Sequence, residues 1–208
     1  MLATPDCTLP APVALPAPIR QGTVSLEAAL GLRRSVRVFR ADALTLAQLG
    51  QLLWAAQGTG TRAGHRNAPS AGGLHPLELY VAAGQVDQLP AGVYHYAPSD
   101  HQLVLRAPGD CRAALANAAL EESWLAEAPA IIAIAAAYER TTAKYGPRGL
   151  RYVHLDAGYA GENLCLQAAA LHLGSTVVGA FDDDSVDRLL QLPAGHHTVT
   201  LHPTGWPH

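Results

Sequence analysis

Four arginines lie within the ten residues GLRRSVRVFR, at positions 31–40. The whole chain holds thirteen arginines and one lysine, so this segment concentrates a scarce charge. Guanidinium groups bind phosphate through paired hydrogen bonds, and a serine hydroxyl can complete such a site. The alternative is a solvated helix end, because the last turn of a helix favours arginine in any case. The candidate anion ligands are Arg33, Arg34, Ser35 and Arg37. The residues expected to anchor them in the core are Val36, Val38 and Phe39.

A second candidate is the small-residue segment NAPSAGGLHP at positions 67–76, which ends a long glycine-rich loop. Glycine lets the backbone approach a planar ligand closely, and Ser70 could donate a hydrogen bond there. Loops of this length inside a domain are usually functional or disordered. The alternative is a plain turn-rich connector.

Two further segments carry groups that could act on a substrate. Lys144 stands beside Tyr145, and either side chain can exchange a proton with a bound molecule. Taken alone, an exposed loop lysine is the commoner explanation. In VVGAFDDD, a strand runs into Gly179 and an acidic helix cap, which indicates a tight turn or backbone presented to a ligand.

Composition limits the function classes. A net charge of −3 argues against general nucleic-acid binding, and 208 residues with 49% apolar content suit one domain with a sizeable core. No apolar run reaches the ~18 residues that span a bilayer. The three cysteines, Cys7, Cys111 and Cys165, share no metal-binding spacing, and neither do the ten histidines. We therefore expect no metal, no membrane span and a cytoplasmic location.

Hydrophobic periodicity predicts helices at 26–34, 46–57, 110–119, 150–174 and 185–192, the first two capped by Ser25 and Thr45. It predicts strands at 77–83, 92–98, 102–106, 129–138, 175–181 and 197–205. Helices and antiparallel strands are mixed without strict βαβ alternation, so the fold class is α+β. The proline-rich residues 1–24 favour an extended arm, either loose or lying on a partner subunit.

The order of these segments resembles the nitroreductase family of FMN-dependent oxidoreductases. The resemblance covers about residues 25–207. The segments that carry it are RRSVRVF, NAPSAGGLHPLELYV, YERTTAKYGPRGLRY and GYAGENLCLQAAALHLGSTVVGAFDDD. Within the family the chain is most similar to the SagB-type azoline dehydrogenase branch. The resemblance implies a nitroreductase-like fold, with a central, mainly antiparallel sheet flanked by helices. It also implies one FMN-binding domain at 25–208 and an intertwined homodimer with FMN sites at the subunit interface.

The resemblance also implies roles for single residues. The RxS motif of the family matches Arg33, Arg34 and Ser35, with Arg37 at its basic position. These residues would hold the FMN phosphate, the ribityl chain and the pyrimidine edge of the flavin. Relatives often end in PVGRP, whose arginine can help to bind FMN, whereas this chain reads PTGWP. Trp206 therefore either removes a contact or stacks on the cofactor.

The middle motifs would meet the flavin ring. Ser70, Ala71 and Gly72 match the segment that reaches the flavin from the other subunit. Gly179 and Ala180 match the strand end whose backbone N–H faces flavin N5.

The functional residues implied for proton transfer are Lys144 and Tyr145, which match the pair thought to assist azoline dehydrogenases. The first functional hypothesis is NAD(P)H-driven, ping-pong reduction of a flat acceptor such as a nitroaromatic or a quinone. The alternatives are oxidation of a thiazoline or oxazoline to the azole in a ribosomal peptide, and a flavin-binding module without turnover. The peptide alternative is weakened because only about 24 residues precede the family region.

Overall fold

The computed structural model describes residues 11–60, 64–120 and 122–208. Its helices are α1 (Leu26–Leu32), α2 (Leu46–Gln57), α3 (Arg112–Ala118), α4 (Glu139–Tyr145), α5 (Arg148–Ala170) and α6 (Asp183–Leu189). Its strands are β1 (Val13–Ala14), β2 (Leu77–Ala83), β3 (Gly92–Ala97), β4 (Gln102–Pro108), β5 (Ala130–Ala137), β6 (Gly174–Ser175) and β7 (His196–Gly205). Two short 3-10 turns cover Ala71–Gly73 and Ser123–Glu127.

The strands form one seven-stranded sheet in the order β1-β4-β3-β2-β5-β7-β6. Every neighbouring pair is antiparallel. Strand β5 pairs with β7 along its whole length and with β2 over residues 130–136, and all eight of its residues are buried. A strand covered on both faces reads as a continuous apolar run, which is why AIIAIAAA was recognisable from the sequence.

Helices cover both faces of the sheet. Leucines of α2 and the apolar side of α5 pack on one face, together with Leu77, Leu79 and Val81 of β2. The other face, which includes Tyr80 and Ala82, is covered by α3, α6 and the 123–127 turn. The prediction of an α+β fold with a mainly antiparallel sheet flanked by helices is therefore confirmed.

Both predicted helix caps are present. The Ala28 N–H donates to Ser25 Oγ at 3.2 Å, at the start of α1. Thr45 forms a reciprocal capping box with Gln48 at the start of α2. Each cap satisfies a backbone donor that the helix itself leaves without a partner.

Two segments differ from the prediction. Residues 175–181 were expected to form a strand, but β6 ends at Ser175, and only Val178 bridges β7 again, at Leu201. This segment lies at the sheet edge, where it has a strand neighbour on one side only. The segment around Lys144 was expected to be a loop, but it forms the short helix α4. The helix ends at Gly146, whose φ is 57°.

The described part of the arm contacts its own chain. Val13 pairs with Leu103 of β4, and the Leu15 N–H donates to the His101 carbonyl at 3.0 Å. The Gln51 side chain accepts from the Ile19 N–H at 2.8 Å and donates to its carbonyl at 3.0 Å. Residues 1–10, including Cys7, lie outside the described residues. The division between arm and domain near residue 24 stays a prediction.

Candidate functional site

The arginine segment is fastened to the sheet edge by a valine. The Val36 N–H donates to the Ser175 carbonyl at 3.1 Å, and the Val36 side chain is buried against Gly174. A Cβ at Gly174 would lie 2.7 Å from three Val36 side-chain atoms, so only glycine permits this approach. Phe39 is buried as predicted, whereas Val38 is 58% exposed. The expectation that Val38 belongs to the core is therefore wrong, because residues 36–38 form no regular strand, and strand alternation does not bring Val38 to the buried side of Val36.

A cavity of about 250 Å³ lies beside this segment. Its polar wall is formed by Arg33, Arg34, Cys165, His172 and Ser175, and Pro207 closes one side. Arg33 Nε lies 3.7 Å from Glu162 Oε1, so the charge of Arg33 is partly balanced. Burial raises the pKa of the Cys165 thiol to about 11, so this wall carries a neutral thiol at physiological pH. The cavity therefore offers an anion two guanidinium groups and little competing negative charge.

The remaining members of the segment face elsewhere. Ser35 is exposed and bridges Ser175 through its backbone. The Arg37 guanidinium carbon lies 5.9 Å from the centroid of the Trp124 ring, at the distance of a cation–π contact. The structure thus places Arg33 and Arg34 in the cavity wall, but not Arg37.

Trp206 packs against the start of the α2 region. Its indole N–H donates to the Ala43 carbonyl at 3.2 Å, and the Arg40 guanidinium carbon lies 5.5 Å from its ring centroid. Arg40 also pairs with Asp42 at 3.2 Å. Trp206 does not line the arginine cavity, whose wall at this end of the chain is Pro207. A role for Trp206 in cofactor binding remains a prediction.

The glycine segment and the lysine–tyrosine pair meet at one point. Gly72 has a φ of 64°, which favours glycine, and a Cβ there would lie 2.7 Å from Tyr145 Oη and 3.0 Å from Lys144 Nζ. Lys144 and Tyr145 end helix α4, while Gly72 lies in the middle of the Ala71–Gly73 turn. Gly72 and Lys144 stand 72 positions apart in the sequence, and the fold brings the turn against the ends of the Lys144 and Tyr145 side chains.

A buried carboxylate holds this turn from the other side. Asp156 of α5 is 4% exposed, and its two oxygens accept from the Ala71 N–H at 3.3 and 3.2 Å. Burial raises the pKa of Asp156, and hydrogen bonds from Ser70 and Ala71 oppose that rise. Ser70 Oγ also accepts from the His75 N–H at 2.9 Å. The Ser70 hydroxyl is therefore engaged within its own chain.

Arg140 ties helix α4 to the sheet. Its Nη1 lies 2.6 Å from Glu78 Oε1 and donates to the His75 carbonyl at 3.1 Å. His95 Nε2 lies 2.9 Å from the other Glu78 oxygen. Burial raises the pKa of Glu78, but the bonds to His95 and Arg140 outweigh it and leave that pKa below its usual value. Glu78 therefore stays ionised and anchors the helix that carries Lys144.

Sequence reasoning missed Asp156 and Arg140. A signal existed for Asp156, since it falls on the side of α5 that also carries the apolar Val153, Ala157 and Ala160. A carboxylate on the buried face of a helix needs a polar partner. Nothing in the local sequence identifies that partner as the Ala71–Gly73 turn.

Gly179 and Ala180 are exposed. They lie between the Val178 bridge to Leu201 and Asp182, the N-cap of α6. A Cβ added at Gly179 would meet nothing within 4 Å, so this backbone is open on one side.

Helix α5 separates the two halves of the candidate site. Glu162 contacts Arg33, whereas Asp156 contacts the Ala71–Gly73 turn. The two carboxylates stand six positions apart, which is about 9 Å along a helix and about 120° around it. The arginine cavity and the Gly72–Lys144–Tyr145 group therefore lie on different sides of α5 within one chain.

A family comparison decides the affiliation. Residues 31–206 match the model of the nitroreductase family, which includes the arginine segment, the glycine segment and the lysine–tyrosine pair. The chain belongs to the nitroreductase family. It is therefore an oxidoreductase of the nitroreductase type.

Two relatives of this nitroreductase-family chain match it over most of their own length. It is 41% identical over 182 residues to a protein of Methanocaldococcus jannaschii named as a nitroreductase, covering 88% of this chain and 91% of that one. A crystal structure of a Ralstonia eutropha protein described as a nitroreductase superposes with a TM-score of 0.82 at 28% identity, covering 95% and 90%.

A further crystal structure, of an Anabaena variabilis protein also described as a nitroreductase, has a TM-score of 0.78 at 31% identity. The match covers 88% of this chain but only 38% of the Anabaena chain. These structures confirm the nitroreductase-like fold of the present family member.

The described residues of this nitroreductase-family protein contain no helix that is long and apolar enough to cross a membrane. Within the same ranges, no group of three or more His, Cys, Asp or Glu side chains is arranged to hold a metal ion.

Proposed function

We propose that this protein is an FMN-dependent oxidoreductase that takes electrons from NAD(P)H and passes them to a flat acceptor, such as a nitroaromatic or a quinone. The observation that carries the proposal is the cavity lined by Arg33 and Arg34 at the end of α1. Two guanidinium groups at one cavity suit a phosphate dianion, and the family's cofactor carries that group at one end. We expect the enzyme to act in the cytoplasm.

The residues present fit FMN in two ways. The volume of about 250 Å³ is below the ~300 Å³ at which pockets for whole small-molecule ligands begin, so the cavity suits the phosphate end of the cofactor. Gly72 and Gly179 have no side chain to cover a flat ring, and Gly179 is open to the surroundings. The remaining cofactor surface must then be covered by another part of an assembly.

A second copy of the chain is the partner that we propose. Leu155 and Tyr159 lie one turn apart on α5 and are each 51% exposed. Leu26 and Leu30 on α1, which packs against α5, are also exposed. Exposed apolar side chains on adjoining helices are typical of an interface. A homodimer would allow the arginine cavity of one chain to lie next to the Gly72 group of the other.

In this proposal FMN, when bound, supplies the redox chemistry. Arg33 and Arg34 bind the phosphate and hold the cofactor in place. The Lys144 and Tyr145 side chains, both within reach of Gly72, can give a proton to an acceptor when protonated, and Lys144 as the neutral amine can take one from a substrate. The Glu78–Arg140 pair holds α4, and with it both proton-carrying groups.

The purified protein tests this proposal directly. It should take up FMN, show a yellow flavin spectrum that bleaches on addition of NADH or NADPH without oxygen, and elute at twice the mass of one chain. A preparation that stays colourless with added FMN would overturn the proposal. Bound FMN that neither nucleotide reduces would support a binding module without turnover instead.

Arg34→Gln is expected to weaken FMN binding by about 10- to 100-fold, since a hydrogen bond to a charged group contributes roughly 1.5–3 kcal/mol. Arg40→Gln is the matched control, because Arg40 packs on Trp206 and pairs with Asp42 outside the cavity. Titration of the apoprotein with FMN measures both. Arg37→Gln tests whether Arg37 binds FMN. The family motif predicts a loss of FMN affinity similar to that of Arg34→Gln. The contact of Arg37 with Trp124 instead predicts a small loss of FMN affinity.

Oxidation of an azoline in a peptide remains the second candidate, and the contact of Lys144 and Tyr145 with Gly72 favours it. In that reaction Lys144 would help to remove a proton from the azoline ring. Lys144→Ala should then abolish azole formation from an azoline peptide while FMN stays bound. Unchanged azole formation by this variant would exclude the role of Lys144.

A further inference from the structure

Asp156 is a buried charge without an ionic partner. Among residues 11–60, 64–120 and 122–208, no lysine or arginine forms an ion pair with it. Its carboxylate is held instead by the Ala71 N–H and by the Ser70 hydroxyl. Keeping an ionisable group buried in this way is costly unless its hydrogen bonds are well made. Stability alone is therefore a poor reason for a carboxylate at this position.

The turn that Asp156 holds is conformationally costly. Gly72, Gly73 and His75 have φ values of 64°, 66° and 47°, three left-handed residues within four positions. Histidine in this region costs on the order of 1 kcal/mol or more, so the surroundings must impose the conformation. Asp156 accepts a hydrogen bond from Ala71 at the start of the turn. Arg140 donates a hydrogen bond to the His75 carbonyl just beyond the end of the turn.

The position of the turn decides a contact of the candidate site. Gly72 lies against Tyr145 Oη and Lys144 Nζ with no room for a Cβ. The turn touches α5 through Asp156, and the lysine–tyrosine pair belongs to α4. A shift of the turn relative to α5 would therefore change the spacing between Gly72 and both side chains.

We propose that Asp156 is a positioning residue of the candidate site: its carboxylate holds the Ala71–Gly73 turn where Gly72 meets Lys144 and Tyr145. Asp156 acts on the turn through its hydrogen bonds with the Ala71 N–H and the Ser70 hydroxyl. The hydrogen bond from the His75 N–H to Ser70 Oγ links the two ends of the turn. Its effect on turnover rests on the proposed function, whereas its effect on the turn does not.

Hydrogen–deuterium exchange of the apoprotein tests the hold itself. Asp156→Ala should raise amide exchange in residues 70–75 at least tenfold. Asp156→Asn keeps an acceptor oxygen for the Ala71 N–H and should lie between Ala and wild type. Asp187→Ala is the matched control: Asp187 also accepts a backbone N–H, from Thr198 at 2.8 Å, but between α6 and β7. Exchange in residues 70–75 that is unchanged in Asp156→Ala, or raised equally by Asp187→Ala, would overturn the proposal.

Turnover of the FMN-loaded variants supplies the second readout. kcat should fall at least tenfold in Asp156→Ala and less in Asp156→Asn, and it should stay near wild type in Asp187→Ala despite a loss of thermal stability. If Asp156→Ala loosens the turn but keeps full kcat, the positioning role is wrong. If the wild-type protein shows no turnover at all, the proposed function fails, and the exchange experiment still decides what Asp156 does.

Discussion

Replacing Gly72 with alanine is expected to lower kcat about 100-fold. The added Cβ would lie 2.7 Å from Tyr145 Oη and 3.0 Å from Lys144 Nζ, so both polar atoms must move away from the turn. A displacement of about 1 Å at a reacting group can cost about 100-fold in rate. Steady-state kinetics with NAD(P)H and a quinone acceptor measure this loss.

Gly73→Ala is the control variant that separates the displacement of Lys144 and Tyr145 from the effect of backbone strain. Gly73 has a φ of 66°, nearly the same as Gly72, but a Cβ there would meet nothing within 4 Å. Both variants should lose about 1 kcal/mol of unfolding free energy, because alanine is strained at positive φ. Only Gly72→Ala should lose turnover. Equal kcat values for the two variants would show that contact with Lys144 and Tyr145 does not matter.

Acid should destabilise the protein through His202. The side chain is 1% exposed, and burial lowers its pKa from 6.5 to about 4. The unfolded chain therefore binds a proton on this residue near pH 6.5, whereas the folded chain binds it only near pH 4. The free energy of unfolding therefore falls as the pH drops from about 6.5 to about 4. Below pH 4, His202 causes no further loss of stability. A shift of this size amounts to about 3 kcal/mol.

The packing around His202 explains why its charge is so unfavourable. Its Nε2 lies 3.1 Å from Thr200 Oγ1, and its Nδ1 has no hydrogen-bond partner among the described residues. A Cβ at Gly161 would lie 3.0 Å from His202 Cε1, so helix α5 lies directly on the ring. This close approach accounts for the glycine at position 161.

His202→Leu should remove the contribution of His202 to the pH dependence of the unfolding free energy. Urea unfolding at several pH values between 7 and 4 measures this contribution. The wild-type protein should lose about 3 kcal/mol more than His202→Leu over this range. His208→Leu, at an exposed position, should follow the wild-type profile. Parallel profiles for wild type and His202→Leu would contradict the assignment.

Much of the fold was predictable because its signals are local. The bounds of α2 and β2 follow from apolar periodicity, from the Thr45 cap and from glycines just beyond their ends. The β6 region was misjudged because strand pairing at an edge depends on a partner remote in sequence. Val178 bridges Leu201, while Ser175 bridges Ser35, and neither contact follows from the residues near 175.

The candidate site shows the same division. The sequence by itself determined the chemical types available, namely the arginine segment, the glycine segment and the lysine–tyrosine pair, because each is a run of neighbouring residues. Only the tertiary structure decided that Gly72 meets Lys144 and Tyr145, that Arg37 lies on Trp124, and that Asp156 holds the turn. Asp156 is 85 positions from Ala71. Contacts over such distances are set by the packing of α5 on the sheet, which depends on shape and burial summed over the whole core.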